Sequence, residues 1–512
     1  MLQQLEKKDR DRQQLILMTE DTISFTRLAF LFCADSEMAA STDTSFEEVR
    51  TAILDKIQSS DVKSETEIYL SSIGSKVNTD KGNENAEKWL QWARGCRHLK
   101  IVSFPVPAGV LPKDCNCGEL LDVKVASRGP DDAVYDANQM IRQRVARGNC
   151  FLRIDGGPYR GSRLVLYGLK KFTGGLGDDD DRDRGDNHTW HRYFTKPMES
   201  AARLVATRKA NGEAAHLSCI ELAGQLLICA GSKNVHQLFR TREDIKRYHG
   251  DRFRIAGEIS EVIMDILEQM DPTNKNRLLR FLAHTGYTAI FEILSPDHQH
   301  VEDLSHLPGN CLRFITWTSP DLDPTSDSEL CTVPPHIGIE IARALGLPTV
   351  DYTILPVTAV EERMTKVRQG YQYEGEVLYF LDESGEVIGL LKKKTIWYII
   401  CRAVREKVRA ASSAKAKNPS TFCISVPVKK MEKRLSEIQT WLGLDEETLA
   451  AWKVLAIGFL KWALAGIDAG TIRHGQIGDK FPVLWKRYLE ESGSSDKINS
   501  HFHEPEEDAS DL

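Results

Sequence analysis

Lys209 in KANGE, Glu292 in YTAIFEILSP, Glu374 in YEGEVLYF, and Lys392 and Lys394 in LLKKKTIWY form an ordered set whose types suit one kind of chemistry. A lysine amine attacks only when neutral, and at an ordinary pKa about one part in a few thousand is neutral at pH 7. Burial or a neighbouring cation must therefore lower that pKa. Two carboxylates can hold a divalent metal or a ribose hydroxyl. Mg2+ typically takes one or two protein carboxylates and completes its shell with phosphate oxygens and water. Lys392 and Lys394, two residues apart, share one strand face and can stabilise charge on a phosphate. Together these are the needs of nucleotidyl transfer through a lysine–AMP intermediate. Taken singly each has an ordinary reading: a surface lysine beside a glycine, a Glu-Gly turn, a lysine-lined sheet edge. Glu292 on an otherwise apolar strand is more telling, because a buried carboxylate needs a partner.

The elements that must position these residues read as follows. Asn211-Gly212 between alternating apolar stretches predicts a tight hairpin turn that presents Lys209 over a pocket. HLSCIELAGQLLICAGSKN predicts two strands, YTAIFEIL and CLRFITWT one strand each, and EGEVLYFLDESGEVIGLLKKK a hairpin around Glu383-Ser384-Gly385. FLRIDGGPYRGSRLVLYG reads as a hairpin with a Gly-Gly-Pro turn. GEISEVIMDILEQM and HIGIEIARALGL have helical spacing, the second stopped by Gly346 and Pro348. Residues 1–95 read as helices, one of them capped by Ser45 and Glu48 in capping-box spacing. GGLGDDDDRDRGDNH is an acidic loop without the spacing of a calcium site. ASSAKAKNPS reads as a linker, followed by a nearly all-helical segment broken at Gly443. The expected organisation is α+β: a helical N-terminal accessory region (1–95), a central domain (96–408) with an acidic insertion (174–192), a helical C-terminal domain (409–500) and an acidic, disordered tail (501–512).

The chain has 512 residues, 41% hydrophobic and 28% charged, with a net charge of −7, which suits a soluble protein of several domains. The start MLQQLEKKDRDRQQ lacks a signal-peptide core. WKVLAIGFLKWALAGI is short for a membrane span and carries Lys453 and Lys461, so a buried helix is expected, with Trp441, Trp452 and Trp462 as core residues. Eleven scattered cysteines, including the lone Cys115-x-Cys117, lack zinc spacing and read as free thiols of the cytoplasm or nucleus. The overall acidity does not favour nucleic acid as a partner. Locally, however, residues 390–417 hold nine Lys/Arg against one acid, Glu406, which suits a phosphate backbone or simply a solvated helix face. His216, in a strand, reads as a satisfied core histidine.

The ordered motifs K-x-N-G, strand glutamate, E-G and K-x-K resemble those of the covalent nucleotidyltransferases: ATP-dependent ligases and mRNA capping enzymes. KKKTIWY is similar to the K-x-K-[ST]-x-W-Y form of the phage tRNA-repair type of RNA ligase and its eukaryotic relatives. The resemblance covers about residues 140–408. It implies an adenylyltransferase domain of antiparallel sheets with flanking helices, acting on ATP with Mg2+ or Mn2+. It also implies a partner RNA with 5′-phosphate and 3′-hydroxyl ends, no membrane, and a monomer. By resemblance Lys209 is the nucleophile, and Gly212 completes its motif at the nucleotide. Glu374 holds the metal, and Glu292 the ribose or the same metal. Lys392 and Lys394 contact the α-phosphate, with Lys394 also favouring a neutral Lys209. Arg147 in ARGNCFLRIDGG and Lys233 in AGSKN contact the outer phosphates. Phe314 suits adenine stacking, as the resemblance implies, or core packing. LKKFTGG and RYFTKP both match the K-F-F-N segment of those ligases. The sequence departs from the pattern at Asn211, where aspartate is commonest, and after Glu292, where His298 or His300 stands in for an arginine. A capping guanylyltransferase or DNA ligase would follow K-x-K with a β-rich domain, where this chain has helical patterning. A binding protein that keeps the fold without catalysis is the third reading.

Overall fold

The computed structural model describes residues 45–73, 79–115, 117–129, 131–174, 178, 189–319, 322 and 330–495. The expected helices before residue 45, most of the acidic loop and the tail 501–512 lie outside the described residues. Residues 1–49 and 50–512 are separate compact units. Of the first, only 45–49 are described. They open the helix Phe46–Lys56, where the Ser45 hydroxyl accepts from the Glu48 N–H at 3.3 Å, one half of the expected capping box.

Among its described residues the second unit is α+β, with three antiparallel sheets. The first holds β1 (Leu99–Pro105), β2 (Gly118–Val125), β3 (Asn149–Ile154) and β4 (Gly161–Tyr167) in sequence order. Next along the chain come β5 (Ala201–Arg208), β6 (Glu213–Leu222), β7 (Gln225–Ser232) and β8 (His236–Phe239). They are followed by β9 (Thr288–Leu294), β10 (Cys311–Thr318), β11 (Tyr352–Pro356), β12 (Gly375–Asp382) and β13 (Val387–Lys394). The second sheet runs β10-β9-β6-β7-β8 and the third β11-β5-β12-β13. Apolar residues of β2 and β3 (Leu120, Cys150, Leu152) pack on those of β7 and β8 (Leu227, Cys229, Leu238), joining the first two sheets. The third sheet is covered on both faces. Strand alternation sends Leu204, Leu378 and Leu391 into one apolar cluster, and Val205, Val377 and Leu390 into the other.

The Asn-Gly hairpin expected after Lys209 does not form. β5 lies between β11 and β12, whereas β6 lies between β7 and β9 of the other sheet. Residues 209–212 are therefore a crossing from one sheet to the next. Gly212 has no positive φ. It is glycine because a Cβ there would sit 2.0 Å from the Ile293 carbonyl oxygen.

The expected linker at 411–420 is also absent. One helix, Ile396–Lys417, takes in its first seven residues and crosses the boundary expected at 408/409, and a 3-10 turn, Pro419–Thr421, follows. Alanine and lysine are good helix formers, and Ala411 and Ser412 are buried. Helices Ser425–Leu442 and Glu446–Asp468 follow, separated by Gly443 in the left-handed region and by the N-cap Asp445. Glu446–Asp468, at 23 residues longer than the run read from sequence, is long and apolar enough to cross a membrane by length and composition alone. Here Trp452, Phe459 and Leu460 sit in the core of the helical domain, with Trp441 and Trp462 packed against it. The ten described cysteines are free thiols. His216 is the satisfied core histidine expected: its Nδ1 lies 3.2 Å from His236 Nε2, and His236 Nδ1 lies 2.7 Å from Asp122.

Candidate active site

The site forms where one end of the third sheet meets the crossing to the second. Gly375 on β12 pairs with Lys394 on β13, and the Lys209 N–H donates to the Gly375 carbonyl at 2.8 Å. Lys209, Gly375 and Lys394 thus line up across the sheet end, with Glu374 just before Gly375. A Cβ on Gly375 would lie 2.0 Å from the Lys393 carbonyl oxygen, and its φ is +145°. This close approach, rather than a turn, accounts for the Glu-Gly pair.

Glu374 is the hub. Its Oε1 lies 3.1 Å from Lys209 Nζ and 3.7 Å from Lys394 Nζ. Its Oε2 accepts from Asn211 Nδ2 at 2.7 Å. The other end of Asn211 is equally committed: Oδ1 accepts from the Val301 and Glu302 N–H groups at 3.0 and 3.1 Å. The amide therefore ties the crossing to two distant loops. The departure from K-x-D-G has a physical reason here, since an aspartate would set a second carboxylate against Glu374 and remove the donor. Glu292, on β9, accepts from the Gly212 N–H at 3.1 Å.

The TIWY segment completes the site. Thr395 caps the helix Ile396–Lys417 by accepting from the Tyr398 N–H at 3.0 Å, and its own N–H donates to the Glu374 carbonyl. Trp397 anchors the helix against Tyr371, ring centroids 5.6 Å apart. The Tyr398 hydroxyl is 3.3 Å from Asn211 Nδ2, and Lys394 Nζ lies 5.4 Å from the centre of its ring. Lys392 shares the face of Lys394 by strand alternation and is half-buried.

The electrostatics differ from expectation at the lysine. Burial works against the charge on Lys209, but Glu374 and Glu292 outweigh it and hold its pKa above the ordinary lysine value. The expected lowering by Lys394 does not prevail. Glu374 shows the reverse balance: burial raises it, and Lys209 and Lys394 hold it below the usual carboxylate range. Burial pushes Glu292 up to about 7, helped by neighbouring Glu374 against the pull of Lys209. Burial likewise takes Glu302 to about 7, against the pull of Arg208 4.0 Å away. Glu302 also accepts from the Glu374 N–H at 2.5 Å. Of the two histidines, His298 stands 3.9 Å from Asp479. Burial and then Arg405 take His300 down to about 4, within electrostatic reach of Glu374 and Lys209.

Glu292 and Glu302 bind a proton more tightly in the folded chain than in the unfolded one. Their contribution to stability is therefore full below their ordinary pKa of 4.5 and is lost as pH rises towards about 7. Replacing both with glutamine is expected to raise the melting temperature relative to the native chain by on the order of 2–4 °C more at pH 7.5 than at pH 5. Equal differences at the two pH values in thermal melts would show that both carboxyls titrate normally.

Arg147 and Lys233 lie at a separate basic cavity, both paired with Asp131, at 3.6 and 2.6 Å. The two K-F-F-N-like segments part company. Lys171 is buried and pairs with Asp132, next to that same Asp131. Lys196 is held by Asp382 and Glu386 at the turn of the β12–β13 hairpin, the end opposite Lys394. Phe314 is fully buried between Phe291 and Trp317, which leaves no face for a base and favours the core reading. Sequence reasoning missed Glu302 and the pinning roles of Asn211 and Tyr398. Only the last had a usable signal, an N-capping threonine directly after the K-x-K strand.

A family model described as "Domain of unknown function (DUF7920)" matches residues 118–405. No curated protein matches the chain. Among solved structures, a Naegleria gruberi RNA ligase variant with ATP and Mn is 11% identical, with a TM-score of 0.28, covering 59% of this chain and 96% of that one. An apo variant of Naegleria gruberi RNA ligase is 10% identical at the same TM-score, covering 59% and 98%. At such scores the likeness carries no weight for fold or chemistry.

Proposed function

The chain belongs to the DUF7920 family, over a segment that contains every residue of the candidate site, and from that premise we propose that it is an ATP-dependent RNA ligase. The observation that carries this reading is the meeting of Lys209 and Lys394 on one carboxylate, Glu374, which Asn211, 163 positions away in the chain, also holds. An ion-paired lysine–carboxylate–lysine cluster at a sheet end is more than fold maintenance requires, since burying charge is costly.

In this reading the neutral Lys209 amine attacks the α-phosphorus of ATP. An N–P bond forms, the bond to pyrophosphate breaks, and the amine proton leaves to solvent. The 5′-phosphate of an RNA then takes the AMP from Lys209. A 3′-hydroxyl attacks that phosphate, forming the phosphodiester and releasing AMP. Lys394 and Lys392 face the transferring phosphate. Glu374 and Glu292 offer the carboxylate oxygens that would hold a hard cation such as Mg2+ or Mn2+, with phosphate oxygens and water completing its shell. A cation held there would neutralise the carboxylates that keep the proton on Lys209. The reading also takes the protein as a monomer of the cytoplasm or nucleus, with an RNA carrying 5′-phosphate and 3′-hydroxyl ends as its partner. The helical domain after β13, in place of a β-rich one, favours this reading over capping enzymes and DNA ligases.

Incubation with ATP labelled at the α-phosphate, with Mg2+ or Mn2+, is expected to leave acid-stable label on the protein, and GTP is not. No label from ATP under either metal would sink the proposal. Transfer from GTP alone would replace it with capping chemistry.

A further inference from the structure

A cavity of about 370 Å³, within the range typical of ligand sites, lies beside the first sheet and is lined by Lys100, Lys124, Asp131, Arg147 and Lys233. β1 and β2 set Lys100 directly opposite Lys124. Like charges placed so are unfavourable unless an anion lies between or above them. Neither lysine has an ion pair or hydrogen bond among the described residues. Arg147 and Lys233, by contrast, share one carboxylate, Asp131, which is itself only 18% exposed. Four cations thus face a single internal anion, leaving three positive charges in one concave site. Lys233 feels the crowding: burial and then Arg147 lower its pKa, although Asp131 opposes both.

We infer that Lys100 and Lys124 complete a polyphosphate-binding cavity, and that Asp131 is a built-in anion which holds Arg147 and Lys233 until a polyphosphate displaces it. The inference rests on the ligase reading in one respect, that Arg147 and Lys233 are phosphate contacts. It adds two residues to that set and gives Asp131 a role opposite in sign. The charge count selects the ligand. A single phosphate neutralises only part of the excess, whereas a chain of phosphates carries three or more charges.

The test is calorimetric titration of the full-length chain with inorganic tripolyphosphate, with inorganic phosphate as comparison. The native chain is expected to bind tripolyphosphate at least about tenfold more tightly than phosphate. The double variant Lys100→Ala/Lys124→Ala should lose about tenfold or more, as expected for lost charged hydrogen bonds. Asp131→Asn should bind several-fold more tightly than the native chain. Because the two changes move affinity in opposite directions, general loss of structure cannot mimic the result. The single substitutions Lys100→Gln and Lys124→Gln, each about half as damaging, guard against a misfolded double variant. Unchanged affinity in the lysine variants, weaker binding in Asp131→Asn, or equal affinity for phosphate and tripolyphosphate would overturn the inference. The α-phosphate labelling assay separates it from the ligase proposal. Tripolyphosphate binding of the expected pattern without labelling keeps the cavity and removes the ligase. Labelling without that pattern does the reverse.

Discussion

Lys209→Ala is expected to abolish acid-stable labelling of the protein by α-labelled ATP, a loss of at least about 10³-fold, because in this reading Lys209 is the attacking amine and Lys394 only faces the phosphate. The buried partner matters to the design of the experiment. Lys209 lies 3.1 Å from a Glu374 that is almost wholly buried, so removing the amine also takes away one of the two cations that hold that carboxylate. Lys209→Arg separates the effects. Its guanidinium stays charged at any working pH, so it keeps the ion pair and cannot attack phosphorus. Both variants should be unlabelled, and the arginine variant should melt closer to the native chain. Label retained in the alanine variant would place the nucleophile elsewhere. Lys171 in KFTG is then the first residue to test, although its pairing with Asp132 argues against it.

Glu374→Ala is the second large effect. It leaves Lys209, Lys394 and the Asn211 amide without their common acceptor in a buried setting, where breaking such a pair costs about 3–5 kcal/mol. Labelling should fall by about 10²–10³-fold and thermal stability should drop together with it. Glu374→Gln keeps the shape and an oxygen acceptor while removing the charge. It should recover most of the stability and little of the labelling, because two lysines would then repel each other and a cation would keep only Glu292 of its two carboxylates. If the glutamine variant labels at the native rate, Glu374 serves the fold alone.

Much of this could be read from the sequence where the signals are local. Alternation in β6, β9 and the β12–β13 hairpin, and the Glu383-Ser384-Gly385 turn, place Glu292, Lys392 and Lys394 on the strands where they are found, and Glu374 just before one. What was misread depends on partners far away in the chain. Asn211-Gly212 carries the composition of a hairpin turn, but β5 pairs with β12, more than a hundred residues later, and so the same dipeptide becomes a crossing. Gly212 is needed for the nearness of Ile293, which no local pattern reports. The stretch 411–420 looks like a spacer by composition, yet alanines that would suit a spacer also suit a helix once a hydrophobic core is offered to them. Glu302 and Asp131 sit in loops without periodicity, and only the assembled sheets reveal what they face. At Lys209 the electrostatics run opposite to expectation, because Glu374 and Glu292 reach it from separate parts of the chain.

The helix that begins at Ile396 has a mechanical consequence. It starts one residue after Thr395, whose N–H binds the Glu374 carbonyl, and it runs 22 residues without a break into the helical domain. At 1.5 Å per residue it is a rod of about 33 Å. One end carries Tyr398 against Asn211, and further along Val408 and Ala411 join the core that holds Met431 and Phe459. The helical domain is therefore a handle on the chemistry. Whatever grips and tilts it turns the rod, and the short end of that lever moves the threonine that holds the Glu374 backbone and the tyrosine beside Asn211.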